Sequence, residues 1–139
     1  MFGNLFNKAK KIENKNIMEA VVAGCLLVAA ADGTMSGEES LKMEKLLNAN
    51  DLLEAFRGNE ISKVVQRYTN ILDADFGVGQ KKMLDQIEEI ANNPDHCEEV
   101  MLAMLAVAKS DGDVSDVEKA VLTKVASTLR LRLADFGLA

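Results

Sequence analysis

The sequence has no tryptophan, one tyrosine, one histidine, one proline and two cysteines. With aromatics at 4% and Ala, Leu, Lys, Glu and Met plentiful, strands are disfavoured and helices favoured. One proline and nine glycines beside 48% hydrophobic residues describe an ordered globular chain, not a disordered one. His96 and Cys97, one histidine and one cysteine, are too few for a zinc site, and Cys25 sits in a core helix. Cys25 and Cys97 have neither metal-motif nor disulfide-framework spacing, which points to reduced thiols in the cytoplasm. The longest charge-free run, Ala20 to Ala31, falls well short of the roughly 20 residues of a membrane span. No secretory apolar region follows Met1. No Ser–His–Asp arrangement, phosphate-binding glycine loop or paired acid and base stands out, so nothing supports catalysis.

What remains is an acidic helical chain of 139 residues, enough for one domain (1–139) with a real core. The net charge is -6, unevenly spread. Residues 1–15 hold four lysines against Glu13, a net of +3, and the rest holds 12 basic against 21 acidic residues, a net of -9. An acidic body argues against nucleic acid, whose phosphates need clustered Lys and Arg, and suits cations or basic partners.

In segment 1–15, Phe2, Leu5, Phe6, Ala9 and Ile12 form one stripe with the lysines mostly elsewhere. Such a stripe could lie on an anionic membrane surface or dock on the protein's own core. Ile17 to Ala31 is apolar nearly all round and is expected to be buried on most sides. Asp32-Gly33 stops that helix. Ser36-x-x-Glu39 starts the next as a capping box, and Leu41, Met43, Leu46 and Leu47 are expected on its buried side. A short helix through Leu52, Leu53 and Phe56 closes at Gly58, and Asn59 caps a longer one. Asp73 to Gly79 reads as a break. Asn93-Pro94-Asp95 opens the helix of the charge-free run Val100 to Ala108, with proline at its first position. Asp111-Gly112 ends it, and Ser115-x-x-Glu118 caps the last long helix. Exposed His96 and buried Cys97 are expected near a helix start.

The two acidic stretches repeat each other. Aligned at a constant offset of 79, Leu26 to Lys45 and Leu105 to Lys124 are identical at eight of twenty positions. These include Asp32/Asp111, Gly33/Gly112, Ser36/Ser115 and Glu39/Glu118. An all-α fold of about seven to eight helices is expected, as two helix–loop–helix units related by an approximate twofold around a central helical pair. The apolar first helices of the two units should pack on each other; whether the acidic loops then meet stays open.

Capping and turn formation explain the glycines, serines and, in part, the glutamates. They explain Asp32 and Asp111 less well, because a negative side chain at a helix C-terminus opposes the dipole. A divalent cation would account for them. Carboxylate and hydroxyl oxygens are hard ligands suited to Ca²⁺, Mg²⁺ or Mn²⁺, with Asp32, Glu39, Asp111 and Glu118 as candidates and Asp113, Ser36 and Ser115 behind them. Neither loop is an EF-hand, since its twelfth position is Met43 in the first and Leu122 in the second.

The doubled A-x-x-D-G-x-[MV]-S-x-x-E motif resembles the tellurite-resistance TerB family. So do the opening F-x-N-L-F-N-K and the closing L-A-D-F-G-L. The resemblance implies a non-enzymatic cytoplasmic helical domain of a bacterial chemical-stress system, peripheral at the inner membrane. It also implies a TerC-like inner-membrane partner, other Ter proteins, and metal at Asp32, Glu39, Asp111 and Glu118. Tellurite itself is an anion and would be repelled by these acids. A protein–protein adaptor whose acidic loops meet a basic partner, or a metal-dependent enzyme, are the rival functions.

Overall fold

The computed structural model describes residues 14–110 and 112–138. Among them lie six α-helices, two short 3-10 helices and no strand: α1 (Lys15–Ala29), α2 (Gly37–Ala49), η1 (Asp51–Phe56), α3 (Asn59–Ala74), α4 (Phe76–Glu88), α5 (Pro94–Lys109), α6 (Asp116–Leu129) and η2 (Leu133–Phe136). The N-terminal stripe through Phe2 and Ile12 lies outside the described residues, as does Asp111. No helix among the described residues is long and apolar enough to cross a membrane.

Helix α1 is the axis of the domain. Every residue from Ile17 to Val28 is buried, and the helix packs against all five other α-helices. An all-round apolar helix can be stable only when wrapped in this way. Its main partner is α5, as expected from the two charge-free runs. They cross closely because Gly24 has no side chain: a Cβ there would stand 2.8 Å from Met104 Sδ and 2.9 Å from Met104 Cγ. One charge interrupts the buried run, Glu19, whose Oε1 accepts from Arg67 Nη2 of α3 at 3.1 Å. Arg67 also sits over the Tyr68 ring, 5.0 Å from its centroid.

Both capping boxes form, and alike. Ser36 Oγ accepts from Glu39 N at 3.1 Å and Glu39 Oε1 from Ser36 N at 2.9 Å. Ser115 Oγ accepts from Glu118 N at 3.2 Å and Glu118 Oε1 from Ser115 N at 2.9 Å. Asn93 caps α5, with Pro94 at its first position.

Four expectations change. Asn59 is the first residue of α3 and not its cap; the cap is Gly58, at φ 84°, with its N–H held by Asn48 Oδ1 at 2.8 Å. The break from Asp73 to Gly79 shrinks to Asp75 alone, whose Oδ1 accepts from Val78 N and so starts α4 at once. Gly77 and Gly79 are helical. On α2 only Met43 and Leu47 are buried, while Leu41 and Leu46 are 59% and 38% exposed. His96 is half-buried and not exposed; Cys97 is buried.

Gly79 is there for packing. A Cβ at this position would lie 2.7 Å from Leu72 Cδ2 and 3.0 Å from Leu72 Cα, so the backbones of α3 and α4 would have to part. Alanine favours a helix interior over glycine by about 1 kcal/mol, but overpacking costs about 1–3 kcal/mol. Gly79→Ala is therefore expected to destabilise by up to about 2 kcal/mol, read as a lower urea midpoint. A stabilised variant would show that the α3–α4 contact is loose.

Candidate functional site

Helix α1 ends at Ala29, and its last carbonyls are taken up by a tight turn. Ala30 N donates to Leu26 O at 2.9 Å and Gly33 N to Ala30 O at 2.9 Å. Asp32 lies within that turn and has a local task. Its Oδ1 accepts from Thr34 N at 3.1 Å and from Thr34 Oγ1 at 3.0 Å, which folds the chain toward the cap of α2. Standing three residues past the helix end, the carboxylate is beyond the last turn, where the dipole is felt most. The electrostatic objection to an acid here is thus weaker than the sequence suggests. Asn could make the same bonds to Thr34, so the charge itself is not explained by them.

The loop after α5 is built from the same residue types. Ser110 Oγ donates to Val107 O at 2.7 Å, and Gly112 has φ 109° beside the 93° of Gly33. Positive φ at both points is what glycine supplies between a helix end and the following cap.

The two regions meet. A groove of about 270 Å³ is lined by Asp32, Glu39, Lys42, Ser110, Ser115 and Glu118, over apolar walls that include Val28, Met43, Leu46, Val107 and Val117. Asp32 and Glu39 come from the first acidic stretch, Ser115 and Glu118 from the second. The crossing of α1 on α5 at Gly24 brings their C-terminal ends to one side of the domain. Of the other candidates, Ser36 is held in its capping box, Asp113 is exposed, and neither lines the groove. Among the described residues no three His, Cys, Asp or Glu side chains stand close enough to hold a metal ion by themselves.

Sequence reasoning missed Lys42, Ser110 and Val117. For Lys42 the signal was present, since it lies one helical turn from Glu39 and must share its face. Ser110 precedes the Asp-Gly pair and could have been read as part of the turn. Val117 carried no signal, because 49% exposure of an apolar residue depends on what packs over it.

The thiols are apart from this site. Cys25 is buried in α1, and burial pushes its pKa up to about 12. Cys97 is likewise pushed up by burial, and its Sγ lies 3.6 Å from Ile90 O and 3.5 Å from Ala91 O as a donor. The single histidine, His96, borders a different depression, beside Asn93 and Glu89.

A family model described as "Tellurite resistance protein TerB" matches residues 18–139. A curated relative, "Tellurium resistance protein TerB" from Alcaligenes sp, is 25% identical over 91 residues, covering 66% of this chain and 75% of the relative. No solved structure matches.

Proposed function

We propose, for a chain that belongs to the tellurite-resistance TerB family, a non-enzymatic stress-response module that binds a divalent cation at the groove and serves as an adaptor in a membrane-associated complex. The observation that carries this reading is the convergence of Asp32, Glu39 and Glu118 on one groove from two distant stretches of chain. The donor set is hard oxygen, which suits Ca²⁺, Mg²⁺ or Mn²⁺. Asp32, Glu39, Glu118 and Asp111, which follows groove-lining Ser110 in sequence, are the proposed ligands. Glu39 and Glu118 each use Oε1 in a cap, and a carboxylate so engaged keeps lone pairs for an ion. No three of the described carboxylates stand close enough to hold an ion by themselves, so the proposed shell takes no more than two of them at once, completed by Asp111, water and backbone oxygens. Lys42 in the same lining opposes a cation and limits its affinity.

The non-enzymatic part is proposed by analogy with the family; in the groove lining both serines are engaged in helix-end bonds. The adaptor part and its partners, a TerC-like inner-membrane protein and other Ter proteins, are proposed by analogy with the family and not from the site.

Calorimetry with Ca²⁺, Mg²⁺, Mn²⁺ and Zn²⁺ tests the ion. Binding is expected for at least one of the first three, weakened about tenfold or more by Asp32→Asn with Asp111→Asn. Asn keeps the acceptor that Thr34 needs, so loss of binding would report charge and not misfolding. Absence of heat for every ion would remove the cation from the function.

A further inference from the structure

The two charge-free helices differ in one respect. Helix α1 is wrapped on all sides, whereas α5 turns an apolar face outward. Leu102 is 56% exposed and Ala106 is exposed, with Ala103 and Val107 half-buried beside them. No charge falls between Glu99 and Lys109. Through Val107 this face runs into the groove, whose opposite wall holds Leu46 at 38% exposure, and Val117 stands 49% exposed at its edge. Five large apolar residues of the described chain are this exposed, and three of them, Leu46, Leu102 and Val117, belong to this one surface or its border. Contiguous apolar surface of this kind, rimmed by polar groups, marks an interaction site.

We propose that the groove and the outer face of α5 together dock a basic amphipathic helix of a partner protein. The charge around the surface selects that occupant. Three carboxylates, Asp32, Glu39 and Glu118, line the groove against one ammonium, Lys42. At the other end Glu99 is half-buried, and burial together with Asp95 pushes its carboxyl pKa up, a strain that an incoming lysine would relieve. A helix lays side chains at i, i+3, i+4 and i+7 into such a groove while its flanking lysines reach the rim. An anionic lipid surface offers apolar contact but would be repelled by the same rim. The proposal rests on the adaptor role put forward above, which it assigns to this surface, and it is independent of the cation.

The test uses the full chain, in EDTA, with a labelled peptide of leucine and lysine only, the leucines spaced to form one helical stripe. A scrambled peptide of the same composition is the control. Fluorescence anisotropy is expected to show saturable binding of the striped peptide and none of the scramble. Leu46→Gln with Leu102→Gln should weaken binding about tenfold or more, as removal of anchor contacts does. Salt at about 0.5 M should weaken it as well, because screening then acts within a few ångströms. Equal binding of the scramble, indifference to the double variant, or no binding at all would overturn the proposal. So would attachment of the chain to vesicles of anionic lipid through Leu102. Peptide binding without any cation binding would overturn only the ion reading, and cation binding without peptide binding only the docking.

Discussion

Between pH 9 and 12 the protein will lose stability steeply, and a Cys25→Ala variant will lose much less. The thiol of Cys25 lies at the centre of α1, wholly buried, and its pKa rises from 9.0 to about 12 because the charged thiolate has no solvent there. In the unfolded chain the thiol ionises near 9.0. Above that pH the unfolded state has released a proton that the folded state still holds, so rising pH favours unfolding. The contribution is fully present below pH 9.0 and is lost as pH climbs to about 12. The slope is about 1.4 kcal/mol per pH unit, or roughly 4 kcal/mol across the window. Cys97, also raised by burial, adds in the same direction. Urea titrations at several pH values, for the native chain and for Cys25→Ala, measure the difference in slope directly. Parallel slopes would mean that the thiol reaches water without unfolding. The same burial keeps Cys25 from reacting with thiol reagents, or with oxidised tellurium species, in the folded protein.

The second large effect concerns the ion pair in the wall of the core. Arg67→Met is expected to destabilise the protein by about 2–3 kcal/mol, below the 3–5 kcal/mol of a fully buried pair. The two partners differ in exposure: the Glu19 side chain is 11% exposed and that of Arg67 is 48%. Removing Arg67 leaves a carboxylate nearly out of water and without its cation, and also takes away the contact with Tyr68. Removing the charge of Glu19 instead leaves Arg67 free to hydrate, so Glu19→Gln costs less. The double variant Glu19→Gln/Arg67→Met should recover much of the loss, and denaturant unfolding of all four proteins closes the cycle. Equal losses for the two single variants would contradict the asymmetric burial.

The features that were legible in advance are those decided by neighbours in sequence. Ser36 with Glu39, Ser115 with Glu118, and Asn93 with Pro94 each complete a helix start within four residues, and all three formed. Helix α1 was legible for a different reason, since an all-round apolar helix has one physical solution. Where expectation failed, the deciding contact was mostly one between elements, though the Asp75 cap on Val78 N that starts α4 is local. Gly79 looked like a break because its role, admitting Leu72 to close contact, is a matter of α3 against α4. Leu41 and Leu46 fit a buried stripe by spacing, yet they are 59% and 38% exposed, and Leu46 lines the groove. Glu19 gave no sign of being an interior charge, because its partner is 48 residues away.

The candidate site divides in the same way. The sequence alone settled an all-helical domain of the TerB family, with two acidic stretches that each stop one helix and cap the next. Hydrogen bonds over two to four residues are enough for that. Only the tertiary structure decided that the stretches face each other. The close crossing of α1 and α5, permitted at Gly24, places both helix ends over one groove. It also decided that one apolar helix is enclosed and the other half-bare, because five helices can wrap a central one while their own outer faces remain in water.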